Sequence, residues 1–444
     1  MSFNEFSARP DLMSTIEPAL LRAQPPDNET VSENHVLMWM VLVGLVLRIA
    51  FVLLAHTYRF SPADGNFGFG YEMGRVAASL AEGQGFGNPF KSPTGPTSIV
   101  PPLYPCLIAA VFKVTGIYTA ASAFILLSLN SLFSALTSVP VFYLAKRSFG
   151  SRIALWSGWT WALLPYAMYW AVKWIWETSI AAFLLALLLL MTWRLAEAER
   201  PREWAVWGGL WGIAALVNPS VLSLLPLVGV WVVVQRWHQD RNVVWRAAMS
   251  ALIFFAVICP WLVRNYEVFH KPIFLRSNFG MELRLGNGPG AEGFSMGFVV
   301  HPTYNPAELA KYRQMGEIHY IEHQKQEAVT WIKAHPREFA IVSIKRFVYY
   351  WTNVPWGGRI MPAKNALFLA SSICGFLGLW LMWKQRRPGV FLFAICLMVF
   401  PIVYYIVFPH PHYRGPIEPE IFILIVFLIS QAREVQARWP SQAK

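Results

Sequence analysis

Charge is scarce in this sequence. Only 14% of its residues are Asp, Glu, Lys or Arg, against about 25% in soluble domains. That shortage comes with 55% hydrophobic residues and a mean hydropathy of +0.40. It excludes an ordinary water-soluble domain and predicts an all-α polytopic membrane protein. Cysteine is scarce too. Cys106, Cys259, Cys374 and Cys396 lie in apolar segments without paired spacing, which supports neither a disulfide framework nor a cysteine metal site. Nucleotide loops are missing. The stretch GQGFG at 83–87 lacks the strand, the helix and the Gly-Lys-Ser/Thr that such loops need. HExxH is absent as well. The first apolar run carries no small-residue cleavage pattern, so it is expected to remain as a span. Acids number 25 against 37 Lys and Arg. The surplus positive charge sits at the ends of apolar runs, which is the membrane pattern and speaks against nucleic acid.

Apolar length is what the chain has in abundance. A helix needs about 20 apolar residues to cross the hydrocarbon core. About ten transmembrane helices are expected, at 36–57, 118–145, 151–169, 175–195, 203–217, 219–236, 244–264, 365–384, 388–408 and 417–432. The 21 Trp and 16 Tyr suit anchoring at bilayer interfaces. The run at 103–114 is too short to span and opens on Pro101-Pro102, so a helix lying in the interface is expected there. With an inside N-terminus, the inner connections hold Lys146, Arg147, Arg152, Arg194, Arg200, Arg202, Arg236, Arg241, Arg246, Lys384, Arg386 and Arg387. The short outer ones hold only Lys173 and Arg414. That bias follows the positive-inside rule. The implied organisation is a cytoplasmic tail (1–34), a transmembrane module (35–264) with an outer loop at 58–117, an outer segment (265–364), C-terminal transmembrane helices (365–432) and a cytoplasmic tail (433–444). In the outer segment, Asn305-Pro306-Ala307-Glu308 reads as a helix start. The helix is expected to run to about Lys333, with a break at His335-Pro336.

The polar, Gly-rich loop after the first span is the most informative stretch. It predicts a short amphipathic helix over Glu72–Glu82 with Met73, Val76, Ala77 and Leu80 as its apolar face. Glu72, in the first turn, either complements the helix dipole or serves chemistry at a membrane surface. Asp64 is a second carboxylate in a turn context. Glu177, at the outer end of the fourth span, either pairs with Lys173 four residues earlier or faces water or substrate. Arg48, inside the first span, either snorkels or serves as a charge partner. His410 and His412 form a weak metal pattern, so no metal ligands are assigned and a divalent cation stays open. Guanidinium forks match phosphate oxygens, which singles out Arg414, and after it Arg264 and Arg276.

The loop acid, the AASLAEGQGF helix, the PPLYP opening of the interface helix, and RNYEVF and HYRGPIEP later in the chain resemble the GT-C membrane glycosyltransferases. The resemblance is to the family 39 branch of protein O-mannosyltransferases and aminoarabinose transferases. It implies transfer of a hexose or pentose from a polyprenyl-phosphate-linked donor to an acceptor hydroxyl, with inversion, at the outer face of the inner membrane. Acceptor and sugar stay open. The resemblance assigns Glu72 as the catalytic acid of the first loop. Many members carry Asp-Glu a few residues before a Tyr, whereas here Glu72 follows Tyr71, so Asp64 stands as the alternative. Glu177 matches the second acid by position. Arg414, Arg264, Arg276, Arg48, Tyr104 and His412 form the donor and phosphate-binding set. The alternative from another class is a polytopic lipid or sugar transporter or flippase.

Overall fold

A computed structural model of the protein describes residues 28–62, 65–91, 93–197, 200–355 and 362–438. These residues are helical, with no strand among them and one isolated bridge between Gly87 and Pro96. The first helix is α1 (Asn28–Leu54). The loop after it holds α2 (Glu72–Ala81) and α3 (Leu103–Thr115). A bundle follows, made of α4 (Ala120–Leu136), α5 (Ser138–Phe149), α6 (Ser151–Leu163), α7 (Pro165–Lys173), α8 (Thr178–Leu195), α9 (Pro201–Val217), α10 (Leu225–Arg236) and α11 (Val243–Phe269). The second polar segment folds as α12 (Phe279–Gly286), α13 (Gly297–Val300), α14 (Pro306–Met315), α15 (Glu317–Ala334) and α16 (Pro336–Thr352). The chain returns to the bundle with α17 (Pro362–Lys384), α18 (Val390–Met398), α19 (Ile402–Ile406) and α20 (Glu418–Arg438).

Six stretches among the described residues are long and apolar enough to cross a membrane: Glu33–Leu54, Ala120–Phe149, Thr178–Leu195, Val243–Phe269, Ala363–Lys384 and Pro411–Ala432. The chain is an integral membrane protein. The remaining four expected spans are short or broken. The run at 151–169 divides between α6 and α7, 219–236 begins as a 3-10 turn, 388–408 divides between α18 and α19, and α9 has 17 residues. The helix expected from Asn305 to Lys333 also divides. Asn305 caps α14 through Ala307 N–H at 2.9 Å, but Gly316, at φ 73°, turns the chain before α15. At 13 residues, α3 rises about 20 Å, short of the hydrocarbon thickness, and it packs on α2.

The break between α6 and α7 has a physical cause. Pro165 has no N–H to give the carbonyl of Trp161. Arg48, fully buried on α1, supplies the donors instead. Its guanidinium donates to Trp161 O at 3.2 Å, Ala162 O at 2.9 Å, Gly44 O at 2.8 Å and Ser134 Oγ at 3.1 Å. A charged side chain among apolar helices thereby satisfies the carbonyls that a proline break exposes. Elsewhere the bundle relies on close backbone approach. A Cβ on Gly208 of α9 would sit 2.2 Å from Ser250 O of α11, and one on Gly212 would sit 2.7 Å from Val257. This is small-residue packing at a four-residue spacing. The basic ends of α5 and α8 meet at one end of the bundle, where Arg147 donates to Glu197 at 3.0 Å. The N-terminus of α8, which carries Glu177, lies at the other end.

Candidate active site

The loop after α1 is held down against the bundle. Ile175 N–H donates to Gly68 O at 3.1 Å. A Cβ on Gly70, at φ +89°, would come within 2.5 Å of Ile175 O, so only glycine lets the loop lie against the Trp174–Glu177 stretch. Tyr71 then adopts φ 55°, ψ −114°, a sparsely populated region that costs about 1–3 kcal/mol for a residue with a side chain. The α2 helix starts immediately after it, with Glu72 as its first residue. Met73, Val76 and Ala77 bury the opposite face, as the amphipathic pattern predicts, and Leu80 packs at the edge of the same core. Glu72 is 13% exposed, and its Oε1 accepts from His301 Nε2 at 3.1 Å.

The second polar segment is tied to this loop by a buried carboxylate. Glu317 accepts from Ser98 N at 2.8 Å, Ser98 Oγ at 3.0 Å, Ser277 Oγ at 2.7 Å, Tyr312 OH at 2.9 Å and also Thr97 Oγ1. Arg264 adds a fork to Thr97 O at 2.7 Å and Phe86 O at 2.8 Å. Arg276 donates through Nε to Ile99 O at 2.9 Å. Its terminal nitrogens make no hydrogen bond to the described residues, and the side chain is half-buried.

Two carboxylates, Glu282 and Glu177, lie within reach of that guanidinium's charge. Burial holds the Glu282 carboxyl above its ordinary range. The Arg276 charge acts against that rise, and the Glu72 charge adds to it. Glu282 also accepts from Asn278 Nδ2 at 2.8 Å. Glu177, just ahead of the α8 span, is 8% exposed. Burial pushes its carboxyl up to about 7, opposed by its own backbone N–H and by Arg276. Asn218 Nδ2 reaches its Oε1 at a long 3.4 Å. Its Oε2 has no hydrogen-bond partner among the described residues. Tyr404 and Tyr413, stacked at 4.6 Å, lie within the field of Glu177, Glu282 and Arg276. The arrangement offers carboxylates to take or hold protons, one cation with free donors, and aromatic faces.

The residues singled out in the sequence fall into three groups. Glu177 lies within reach of the Arg276 charge, and Glu72 lies beside His301 and within reach of Glu282. Asp64 lies outside the described residues. The others are engaged elsewhere. Arg414, 1% exposed, donates to Glu418 at 2.6 Å, Ser372 Oγ at 2.8 Å and Phe368 O at 3.3 Å, and also to Ser371 Oγ. Arg48 and Arg264 spend their donors on the carbonyls described above. Tyr104 donates to Asn130 at 3.0 Å, and Asn130 donates to Trp174 O at 3.1 Å, which orders the stretch leading to Glu177. His412 packs 4.8 Å from the Trp176 ring. Of the two readings of Glu177, the pair with Lys173 does not form, because α7 ends at Lys173 and the helical four-residue spacing ends with it. Two site residues escaped the sequence reading, His301 and Glu282. Their signals were a His-Pro step just before the Asn305 cap and one acid inside the short apolar helix FGMELRLG.

Among the described residues, no three His, Cys, Asp or Glu are grouped to hold a metal ion. An apolar cavity of about 450 Å³ between α9, α10 and α11 is lined by Trp207, Trp211, Leu225, Val230, Phe254 and Phe255. None of the site carboxylates lines it.

Residues 99–263 match the model of the dolichyl-phosphate-mannose-protein mannosyltransferase family. That stretch includes Tyr104 and Glu177 and stops short of Glu72. A search of curated proteins finds no match. Among solved structures, the chain is similar to the Archaeoglobus fulgidus oligosaccharyltransferase AglB in complex with an inhibitory peptide and a dolichol-phosphate. The TM-score is 0.52 at 12% identity, over 94% of this chain and 52% of that one. The same enzyme with Zn and sulfate gives a TM-score of 0.50 at 12% identity, over 90% and 49%. The chain thus spans about half the length of the oligosaccharyltransferase it matches. ArnT from Cupriavidus metallidurans, bound to undecaprenyl phosphate, is similar at 14% identity over 88% and 77%, with a TM-score of 0.36; that likeness is too loose to argue from. The matched stretch is similar to that mannosyltransferase family, and the likeness to the oligosaccharyltransferase shows a shared fold.

Proposed function

We propose that the protein transfers a sugar from a polyprenyl-phosphate-linked donor to an acceptor hydroxyl at the outer face of the inner membrane. The observation that carries this reading is the grouping of Glu177 and Glu282 within reach of the Arg276 charge, with Glu72 in reach of Glu282 and bonded to His301, at the end of the bundle away from its basic termini. Glu72 takes the proton of the acceptor hydroxyl as general base. The acceptor oxygen forms its bond to the anomeric carbon from the side opposite the phosphate, and the carbon–oxygen bond to the phosphate breaks. The electron pair leaves with polyprenyl phosphate, where the free donors of Arg276 stabilise the charge. The configuration at the anomeric carbon inverts. Arg276 takes the phosphate role here because Arg414, Arg264 and Arg48 give their donors to the protein itself. The match of residues 99–263 to a family named for dolichyl-phosphate-mannose supports the donor class. The dolichol-phosphate in the oligosaccharyltransferase structure of the same fold supports it as well.

The test uses purified protein in liposomes. Labelled polyprenyl-phosphate mannose, glucose and aminoarabinose are offered one at a time, with membrane extract as the acceptor source. One donor should lose its sugar to the extract and release polyprenyl phosphate. Glu72→Gln should slow that transfer about 100- to 10,000-fold. Full activity of the variant would remove Glu72 as the base, and no consumption of any donor would overturn the transferase reading.

A further inference from the structure

The contact between Glu72 and His301 joins the two outer segments at the reacting end of the site, and its chemistry is settled by a third group. His301 closes α13, and its ring is 7% exposed. Its Nδ1 accepts the backbone N–H of Thr303 at 3.1 Å. A ring nitrogen that accepts an amide N–H carries no proton, so in the neutral imidazole the proton sits on Nε2. Nε2 is the atom 3.1 Å from Glu72 Oε1. The ring is boxed by Tyr71 at 5.6 Å, Phe90 at 5.5 Å and Tyr304 at 6.0 Å between centroids. The turn that supplies the N–H is itself anchored, since Arg75 donates to Thr303 Oγ1 at 3.1 Å while its guanidinium lies 4.8 Å from the centre of the Tyr71 ring. Among the described residues, Glu72 Oε2 makes no hydrogen bond.

We infer that His301 is a positioning residue for Glu72: a neutral imidazole, fixed in one tautomer by the Thr303 N–H, that donates to Oε1 and leaves Oε2 aimed for the acceptor hydroxyl. The inference rests on Glu72 acting as base in the proposed transfer. His301 keeps its proton throughout, and the acceptor's proton goes to Glu72. The role suits the architecture. α2 presents the base from the first loop, and only the second outer segment brings the donor that orients it.

The experiment measures kcat and KM in the liposome assay with the polyprenyl-phosphate sugar that the wild type consumes. His301→Ala should lower kcat about 10- to 100-fold, the scale of one hydrogen bond to a charged group, and leave KM for the donor within about threefold. His301→Gln, whose amide nitrogen can stand near the position of Nε2, should restore most of that loss. His301→Asn, which ends near Nδ1, should not. In the Glu72→Gln background, His301→Ala should cost nothing further, because the group it orients is gone. Should the Ala variant fold poorly by thermal melting, the Gln-against-Asn contrast carries the test. Wild-type kcat in His301→Ala, or equal losses in the Gln and Asn variants, would overturn the inference. So would an undiminished further loss in the Glu72→Gln background. Full activity of Glu72→Gln alone would instead strike at the base assignment, so the two failures are separable.

Discussion

Glu317 and Glu177 are both buried glutamates at the same end of the molecule, yet their surroundings are opposites. Glu317 is 5% exposed and accepts from three residues of the first loop and its neighbour strand of chain, Thr97, Ser98 and Ser277, and from Tyr312. Glu177 is 8% exposed and has one long contact to Asn218 and an oxygen with no partner among the described residues. A buried carboxylate is costly unless hydrogen-bonded. One of these is therefore satisfied as an element of structure, and the other carries an open cost that a bound polar substrate would meet. The clamp holds the first loop against the second outer segment, and the site sits between them. Removing the clamp should damage the fold first, whereas neutralising Glu177 should damage activity first.

The largest expected effect on stability tests the clamp. Glu317→Ala leaves the Ser98 N–H and several hydroxyls without an acceptor in a buried place. It should cost about 3–5 kcal/mol, read as a lowered melting temperature in detergent. Glu177→Gln should instead leave the melting temperature at pH 7 unchanged or higher, because it removes a buried group without a full set of partners. Transfer activity should fall in the same variant. Equal destabilisation by the two substitutions would erase the contrast.

A smaller effect is visible in pH. The Glu177 carboxyl is held at about 7 in the folded protein against an ordinary 4.5. Between these values the unfolded chain has already released the proton that the folded protein keeps. Unfolding stability therefore falls as pH rises from about 4.5 to 7 and is level above that. The whole drop is of order 3 kcal/mol, from about 2.5 pK units at 1.36 kcal/mol each. Melting temperature measured from pH 4.5 to 8 should show this decline in the wild type and a shallower one in Glu177→Gln. Parallel curves would mean that Glu177 titrates as an ordinary surface acid.

What could be read from the sequence follows the range of each interaction. The α2 helix, the Asn305 cap and the His335-Pro336 break are local, written in neighbouring residues, and they stand in the structure. The spans were legible as apolar runs. Their breaks at Leu164 and between α18 and α19 were not, nor was the turn at Gly316 in the polar segment, because a break depends on what satisfies the freed groups, and at Pro165 that is Arg48, 113 residues from Trp161. Arg414 illustrates the same limit. A guanidinium near an outer surface suggests a phosphate contact, but Ser371, Ser372 and Glu418 occupy it in the folded chain. His301 and Glu282 acquire meaning only beside Glu72, more than 200 residues earlier, a pairing that no local pattern encodes.

The smallest effect probes how the clamp shares its load. Arg264 bridges Thr97 O and Phe86 O with two nitrogens of one planar group, and its guanidinium lies 4.9 Å from the Trp261 ring centre. Lysine keeps the charge but cannot hold that fork or stack in the same way. Arg264→Lys should cost about 1–2 kcal/mol, well below the loss in Glu317→Ala. Since Phe86 and Thr97 bracket the Gly87–Pro96 bridge, the loosened part should be the hairpin after α2, with Glu72 still held by His301. Hydrogen exchange should then rise at residues 86–97 and stay unchanged at 72–81. Equal loosening of both stretches would show that Arg264 holds the whole first loop, and that the division between clamp and site is less sharp than the Glu317–Glu177 contrast implies.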